Sequence, residues 1–490
     1  MEITNRTSAR RTTRTIILAT ALVRVLLGCT LGLGIDESYV VSVARPLSLG
    51  YFDHPPLHYW IAGAAQWLAG SPPAGPLADL AVRLPFIVLF AVTTWLTFLV
   101  TERMFGDRAA LWAAGALNLS AVFTLSTASW VLPDGPLMCA SLATVYCVVR
   151  ALDSERARWW LAAGVCGGLA ALSKYHAALL APGVFLYLAT TPAHRRWLAR
   201  PAPYLAVAIA AVIFLPDVIW NAHHGWVSFA FQASRGVPQH AHRFTSLAQN
   251  IAGQIGYVLP WVWIPLIIAL AGALAAGPRD PSRWLLACLA IWPIGLFTLV
   301  SLGGNPGLPH WTALGYLMCF PLFGQWAVGR NLRVWSLASA GVLVILVSIV
   351  LIQTLTGVIP LRPSADPTLD LVDWHDLRGV PIPPDGFVAA TSWVQAGKVA
   401  YALGPAVPVV CLSLAPHQFL YQRDPAQFVG HDALLVIRGT PQLDRYRPYF
   451  ASIEPIGPLA ITRANGRPAL SVSLYLAKNY QQPFPTLQPR

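Results

Sequence analysis

The sequence predicts an α-helical polytopic membrane protein with a small C-terminal α/β domain outside the cytoplasm. Of its 490 residues, 56% are apolar and only 11% are charged, a balance that excludes an ordinary soluble protein. Apolar runs of about 18 residues or more recur, and each is long enough to cross a hydrocarbon core of about 30 Å. After about residue 358 these long runs give way to shorter apolar stretches.

We expect about eleven membrane spans, counted by apolar length. The first is expected to stay uncleaved, because the run after the N-terminal arginines is long and lacks a clear small-residue cleavage site. The predicted spans are roughly 15–35, 82–101, 109–128, 135–151, 158–173, 175–191, 202–220, 251–276, 284–302, 311–328 and 334–357.

Arginine and lysine are divided unevenly between the connections. Alternate connections, beginning with the N-terminal segment, are rich in arginine, and the others contain few basic residues. The positive-inside rule therefore places the N-terminus in the cytoplasm. The expected outward segments are 36–81, 129–134, 221–250, 303–310 and everything after about 358.

The net charge of +12 does not indicate a nucleic-acid partner, because the basic residues are spread over short loops and form no concentrated face. The seven cysteines form no CxxC or Cys/His cluster and no disulfide framework.

The tail contains patterns typical of a small α/β fold. Short apolar runs predict strands, the stretch between the first two runs predicts a helix, and alternation predicts a further strand. We therefore expect a transmembrane module over 1–357, with its first outward loop at 36–81, followed by an extracytoplasmic domain over 358–490. The predicted strands are 387–391, 407–412, 433–437 and 470–476, and the predicted helix is 392–403.

Three acidic residues, Asp36, Glu37 and Asp53, follow the first predicted span in the first outward loop. Charge so close to a bilayer is costly unless it faces water, a partner or a substrate. Pro55 and Pro56 prevent a simple helical continuation of the span. We interpret this loop as the acidic floor of a site at the membrane surface.

Other outward segments add acids, bases and aromatic residues that can converge at the same membrane face. A carboxylate such as Asp36 can take a proton from an acceptor hydroxyl, and cations can hold a phosphate through charge-assisted hydrogen bonds. Aromatic rings can stack on a sugar. The cations considered for a phosphate are Lys174, His54 and Arg235, and the further polar candidates are Asp134, His176, Asp217, Asn221, His224 and His310.

Each candidate also has a structural interpretation. Asp36 and Glu37 can cap a turn, Asp134 can be a helix N-cap, and Lys174 can reach the membrane interface from within the bilayer. His224 is typical of a loop histidine. Residue patterns alone leave a membrane enzyme and a transporter unresolved.

Taken in order, the motifs resemble a known family. The chain is similar to the bacterial branch of the protein O-mannosyltransferase clan, which includes the lipid A aminoarabinose transferase and the rhizobial lipopolysaccharide galacturonosyltransferases. The resemblance covers about residues 15–330 and extends more loosely to the C-terminal tail. It rests on Asp36-Glu37-Ser-Tyr, Tyr51-Phe-Asp-His-Pro-Pro-Leu57, Pro133-Asp-Gly-Pro136, Gly168-Leu-Ala-Ala-Leu-Ser-Lys-Tyr175, Trp220-Asn-Ala-His-His-Gly-Trp and His310-Trp311.

The resemblance implies a GT-C glycosyltransferase that takes a sugar from a polyprenyl-phosphate carrier. The acceptor is an envelope glycolipid, lipid A, a polysaccharide or a protein outside the cytoplasmic (inner) membrane. The essential acid of the first loop maps onto Asp36, with Glu37 beside it, and the acid of the Pro-Asp motif maps onto Asp134. The predicted substrate-binding residues are Tyr51, Asp53, His54, Lys174, Tyr175, Asn221, His224, Arg235 and His310.

Two features limit how far the roles of the family's residues can be assigned to this chain. Asp53-His54 stands where the aminoarabinose transferases have Glu-Lys. No ligand spacing requires a metal, and a divalent ion near Glu37, Asp53 and the loop histidines is an open alternative. The expected partners are the lipid-linked donor, the acceptor and membrane lipids. A lipid or lipid-linked sugar flippase is the competing function, and a catalytically silent relative that binds a lipid-linked sugar or scaffolds envelope assembly is a third.

Overall fold

The computed structural model describes residues 2–72, 74–235 and 243–488. Within these residues the first three quarters of the chain are helical and the last part carries a sheet. The helices are α1 (Glu2–Thr30), α2 (Ile35–Val43), α3 (Leu57–Leu68), α4 (Pro76–Phe105), α5 (Asp107–Leu117), α6 (Thr127–Ser129), α7 (Asp134–Ser154), α8 (Ala157–Ser173), α9 (Leu180–Thr190), α10 (Ala202–His223), α11 (Val227–Ser234), α12 (Arg243–Val258), α13 (Pro260–Ala276), α14 (Pro281–Val300), α15 (Ala313–Ala327), α16 (Arg333–Thr356), α17 (Trp393–Leu403) and α18 (Phe419–Gln422). The strands are β1 (Phe387–Ala390), β2 (Val409–Cys411), β3 (Ala433–Arg438), β4 (Phe450–Thr462) and β5 (Pro468–Tyr480).

The predicted polytopic helical fold is confirmed. In the described part of the chain, seven helices are long and apolar enough to cross a membrane: α1, α4, α7, α10, α13, α14 and α16. An eighth span results if α5 and the segment Val122–Ser129, which meet at 79°, count as one. The other predicted segments lie on the shorter helices α8, α9 and α15. Each of the eleven predicted segments thus falls on a helix or an interrupted pair of helices.

Close packing of small residues fixes α8 against α10. A Cβ on Gly164 would lie 2.5 Å from the carbonyl oxygen of Ala206, and one on Gly168 would lie 2.7 Å from the Cβ of Ile213. Small residues let membrane helices approach closely, since lipid supplies no hydrophobic drive for their association. This contact sets the position of Lys174, which directly follows α8.

The C-terminal sheet has the strand order β2-β1-β3-β5-β4. Strand β1 is parallel to β2 and β3, whereas β5 is antiparallel to β3 and β4. The four predicted strands fall on β1, β2, β3 and β5, and the predicted helix falls on α17. Strand β4 was not predicted, because Pro455, Gly457 and Pro458 interrupt its sequence; the register shifts between Pro455 and Gly457.

One hydrophobic core joins the C-terminal region to the first loop. Tyr39 and Val41 of α2 belong to the same buried cluster as Val399 of α17 and Val388 of β1. A separate, larger cluster fills the helical region. Because α2 carries the acidic residues of the first loop, the C-terminal region packs directly behind the predicted site.

Candidate functional site

A cavity of about 320 Å³ opens where the first loop, the helical region and the C-terminal region meet. It brings together residues that are far apart in the sequence. Seven of the twelve predicted site residues line it: Asp36, Asp53, His54, Asp134, Lys174, Arg235 and His310.

Asp36 lies in the first turn of α2 with its carboxylate exposed to the cavity. No hydrogen bond to this carboxylate is formed by the residues that the structure describes. Although water reaches Asp36, the surrounding protein reduces its hydration and raises the pKa of Asp36 to about 6, and the nearby carboxylates of Asp53 and Glu37 act in the same direction. Asp36 is therefore a free carboxylate with a pKa suited to accepting a proton near neutrality.

Lys174 and Asp134 form a buried ion pair at the cavity wall. The Lys174 Nζ donates to both carboxylate oxygens of Asp134, at 2.9 and 3.0 Å. Both side chains are at most 5% exposed. A pair of this kind keeps two charges at a buried position, where removal of either partner would strand the other. Lys174 thus meets the cavity with its charge already matched by Asp134.

Arg235 supplies a positive charge that is not matched in this way. Its guanidinium lies over the rings of Trp311 and Phe231, 5.1 and 5.6 Å from the ring centroids. No hydrogen bond from this guanidinium to another described residue is formed. Burial lowers the pKa of Arg235, which Asp53 and Asp36 partly oppose, but a guanidinium remains charged at neutral pH.

Histidines contribute neutral polar atoms to the same cavity. The Nδ1 of His54 and the Nε2 of His176 are buried, and neither has a hydrogen-bond partner among the described residues. Burial lowers the pKa of His58 to about 3 and holds that of His54 well below its usual range, with Lys174 adding to both shifts. An unpaired buried polar atom costs about 1–3 kcal/mol, so a polar ligand would satisfy groups that the protein leaves open.

Glu37 does not line the cavity. It is fully buried and accepts hydrogen bonds from Arg83 Nε and NH2 at 2.8 and 2.6 Å, and from the backbone N–H groups of Gly34 and Val131 at 2.8 and 3.1 Å. Arg83 also donates to three carbonyl groups at the end of α1 and just after it. Glu37 therefore anchors the start of α2, next to the residue that faces the cavity.

The other predicted site residues do not line the cavity, and their side chains contact other protein groups. Tyr51 stacks on Tyr59, with ring centroids 4.0 Å apart. Tyr175 donates to Asp217 at 3.1 Å. The remaining two are fixed to backbone near the α10–α11 turn: Asn221 donates to the Asp217 carbonyl group and accepts from the Ser228 N–H, and His224 contacts the Trp220 carbonyl group through Nδ1.

The C-terminal region adds residues that the sequence did not indicate. Trp393 and His417 line the cavity, together with Tyr39 of α2. His417 contacts Asp53, a partner 364 positions away in the chain. No local pattern in the sequence marks such a contact. Among the described residues, no three His, Cys, Asp or Glu side chains are grouped so as to hold a metal ion.

Several known proteins are similar to this chain in sequence. A family model described as dolichyl-phosphate-mannose-protein mannosyltransferase matches residues 53–220. Undecaprenyl phosphate-alpha-4-amino-4-deoxy-L-arabinose arabinosyl transferase 2 of Proteus mirabilis (strain HI4320) is 27% identical over 305 residues, which cover 58% of this chain and 53% of that protein. Lipid A galacturonosyltransferase RgtD of Rhizobium johnstonii is 23% identical over 321 residues, covering 61% and 62% respectively. The chain thus spans between half and two thirds of the length of these relatives.

The fold is shared with a solved structure. ArnT from Cupriavidus metallidurans, crystallised with undecaprenyl phosphate, superposes with a TM-score of 0.67 at 15% sequence identity, over 94% of this chain and 97% of that one. The similarity extends through the C-terminal region as well as the helices. The resemblance predicted from the sequence motifs is thereby confirmed, and the fold is that of ArnT.

Proposed function

We propose that this chain, which resembles the lipid-linked sugar transferases and shares the fold of ArnT, is a membrane glycosyltransferase. It moves a sugar from a polyprenyl-phosphate carrier to an envelope acceptor, which is a glycolipid, lipid A, a polysaccharide or a protein. One relative, an undecaprenyl phosphate-4-amino-4-deoxy-L-arabinose arabinosyl transferase, supports the donor class. A second, named a lipid A galacturonosyltransferase, supports a lipid acceptor. No nucleotide-sugar motif is present in the sequence.

The observation that carries the proposal is one cavity with a carboxylate and a guanidinium that form no ion pair or hydrogen bond with the described residues. Asp36 faces it without a hydrogen bond from another described residue, and Arg235 faces it over two aromatic rings. A transfer from a sugar phosphate needs a base for the incoming hydroxyl and a positive charge for the departing phosphate. Asp36 and Arg235 meet these two needs.

The proposed reaction is a direct displacement at the anomeric carbon. An acceptor hydroxyl forms the new bond to this carbon as the bond to the phosphate oxygen breaks, and the electron pair leaves with the polyprenyl phosphate. Asp36 takes the hydroxyl proton and later releases it to water. Arg235 stabilises the departing phosphate, and Lys174 adds charge-assisted support from its pair with Asp134.

The neutral histidines complete the proposed substrate-binding set, and Asp53 lines the same cavity with its carboxylate held by protein groups. His54 and His310 offer ring nitrogens to the bound substrate without adding charge. Glu37, Tyr51, Tyr175, Asn221 and His224 act behind the cavity wall, because their polar atoms are engaged within the protein. This division revises the catalytic role predicted for Glu37 to an anchoring one.

The proposed location is the cytoplasmic (inner) membrane, with the N-terminus in the cytoplasm and the cavity on the outer face. The uneven arginine distribution supports this orientation. We further infer a transmembrane module over 1–357 and an extracytoplasmic domain over 358–490. The sheet within the second range supports the division, although its core continues into α2.

The test is mass spectrometry of envelope lipids and released glycans from three strains: a deletion strain, the same strain with the wild-type protein restored, and one restored with Asp36→Asn at equal protein level. We expect a sugar-sized mass loss in the deletion that the wild type reverses and Asp36→Asn does not. Full restoration by Asp36→Asn would remove Asp36 as the base. An unchanged envelope in the deletion would contradict the proposed function itself.

A further inference from the structure

Asp53 and His417 form a hydrogen-bonded pair in the cavity wall, where the first loop meets the C-terminal region. The Nδ1 of His417 lies 2.5 Å from Asp53 Oδ1, and both side chains are nearly buried. The other carboxylate oxygen, Oδ2, accepts a hydrogen bond from the Tyr39 hydroxyl. Asp53 therefore has both oxygens engaged, and it is placed to orient the imidazole ring.

The remaining ring nitrogen, Nε2, is open. His417 lines the cavity, and its Nε2 forms no hydrogen bond with the residues that the structure describes. When Nδ1 carries the proton that is shared with Asp53, the lone pair of Nε2 is available as a hydrogen-bond acceptor. This arrangement presents a fixed acceptor to whatever occupies the cavity.

The ring is held in place by several independent contacts. Trp393 packs against it with ring centroids 4.9 Å apart, and Phe52 and Phe231 contact it at 5.2 and 5.4 Å. The neighbouring Gln418 accepts from the Phe52 N–H at 2.8 Å and donates through its own N–H to Tyr39.

The backbone at His417 is strained. Its φ of +54° is in the left-handed region, which non-glycine residues rarely adopt and in which functional-site residues are over-represented.

The position of this acceptor indicates which part of the substrate it meets. In the proposed reaction the donor sugar must lie between the phosphate bound at Arg235 and the base Asp36, so it occupies the same cavity as His417. Sugar hydroxyls donate and accept hydrogen bonds without carrying charge, so they can pair with a free imidazole nitrogen. Asp53 and His417 line this cavity together with Asp36 and Arg235.

We propose that His417, oriented by Asp53, binds a hydroxyl of the donor sugar through Nε2, so that the C-terminal region takes part in sugar recognition. The inference rests on the proposed function and adds to it a specificity-determining residue. His417 contacts the substrate in this scheme, whereas Asp53 and Tyr39 position it.

The test separates the sugar from its carrier. Binding of undecaprenyl phosphate alone is compared with binding of undecaprenyl phosphate carrying 4-amino-4-deoxy-L-arabinose, mannose or glucose, with full-length protein in detergent. The proteins are the wild type, His417→Leu and His417→Gln, with His431→Gln as the matched control. His431 is a histidine of the same C-terminal region that contacts the Asp385 carbonyl group outside the cavity.

We expect at least one sugar-bearing carrier to bind the wild type more tightly than undecaprenyl phosphate does. His417→Leu should reduce that gain about tenfold, the effect of one lost hydrogen bond in a buried site, while binding of undecaprenyl phosphate itself stays unchanged. His417→Gln should retain most of the gain, because its amide can donate to Asp53 and present a carbonyl oxygen to the cavity. His431→Gln should behave as the wild type.

A merely structural role of His417 would give a different pattern. His417→Leu would then weaken binding of both ligands equally, or lower the unfolding temperature in detergent while the sugar-dependent gain persists, and either result would overturn the inference. So would the absence of any sugar-dependent gain in the wild type. The transfer assay with Asp36→Asn tests the proposed function separately. If Asp36→Asn were inactive while the His417 variants bound the sugar-bearing carrier as the wild type does, the proposed function would stand and this inference would fail.

Discussion

Two adjacent carboxylates in the first loop have different surroundings and therefore different chemistry. Asp36 faces the cavity without a hydrogen bond from the described residues, whereas Glu37 accepts four hydrogen bonds, two of them from Arg83. Although the two residues are neighbours on α2, one carboxylate is free to exchange a proton with a bound group and the other is held by an ion pair with Arg83. The motif names both acids, but their roles follow from which side of α2 each occupies.

The pKa of Asp36 predicts how transfer depends on pH. Since burial and the neighbouring acids raise this pKa to about 6, the ionised and active fraction falls as the pH drops through 6. We expect the transfer rate to be level above pH 7 and to fall to about a tenth of that level at pH 5. The measurement is the initial rate of sugar transfer in detergent between pH 5 and 8, with saturating donor.

A control separates catalysis from substrate binding. Binding of the sugar-bearing carrier should change much less over the same pH range, because its phosphodiester stays singly charged and Arg235 keeps its charge throughout. A rate that is the same at pH 5 and pH 7 would show that Asp36 is not the proton acceptor.

Residue chemistry was predictable from the sequence where it depended on neighbours in the chain. Asp36 and Asp134 could be named from their motifs, and Arg235 from its loop. The contact between Asp53 and His417 joins positions 364 apart, and nothing in either local sequence specifies the other. The pairing of Lys174 with Asp134 was hidden for the same reason, since each residue has a plausible separate role until the fold brings them together.

At the scale of elements, helix α17 positions the helix that carries Asp36. The two cross so closely that a Cβ on Gly397 would lie 2.8 Å from the Cα and 2.9 Å from the N of Tyr39. Ser42 donates to the Gly397 carbonyl group at 3.2 Å, and Arg45 donates to that of Ala400 at 3.0 Å. The orientation of α2 therefore depends on an element some 350 residues further along the chain.

This contact predicts the effect of one added methyl group. Gly397→Ala should force α17 away from α2, because backbone atoms of Tyr39 cannot move aside as a flexible side chain can. We expect a loss of about 1–3 kcal/mol in stability, the usual cost of overpacking, and a fall in transfer activity as Asp36 shifts. Thermal unfolding in detergent and the transfer assay measure the two effects.

Gly379→Ala is the matched control, since an added Cβ there meets no atom within 4 Å. It should leave both stability and activity near the wild-type values. If Gly397→Ala also matched the wild type, the helices would not be held at this distance in the working protein.

Whole helices and strands were predictable from the sequence where their apolar residues formed a clear pattern. Each long apolar run fell on a helix, and α17 and four strands appeared where short runs and alternation indicated them. Strand β4 was not predicted, because its prolines and Gly457 are unfavourable in strands. It forms nevertheless as an edge strand, because it pairs with β5. The packing of α17 on α2 lay beyond any such pattern, since it depends on a single glycine fitting a distant backbone.

At the scale of the whole molecule, the helical region and the C-terminal region build one site between them. The cavity takes Lys174 and Asp134 from the helices, Asp36 and Asp53 from the first loop, and Trp393 and His417 from the tail. A site assembled in this way needs all three parts on one side of the membrane. The proposed orientation therefore applies to the reaction as well as to the fold.

That orientation predicts which positions an impermeant thiol reagent reaches. In spheroplasts, a maleimide that cannot cross the membrane should label Ala464→Cys, an exposed position between β4 and β5. It should label Ala157→Cys, the exposed first residue of α8 in an arginine-rich connection, only after permeabilisation. The wild type is the background control, because five of its seven cysteines are buried and the other two lie within α1 and α8. Labelling of Ala157→Cys in intact spheroplasts, with Ala464→Cys protected, would reverse the orientation and place the cavity in the cytoplasm, where a lipid-linked donor would no longer be needed.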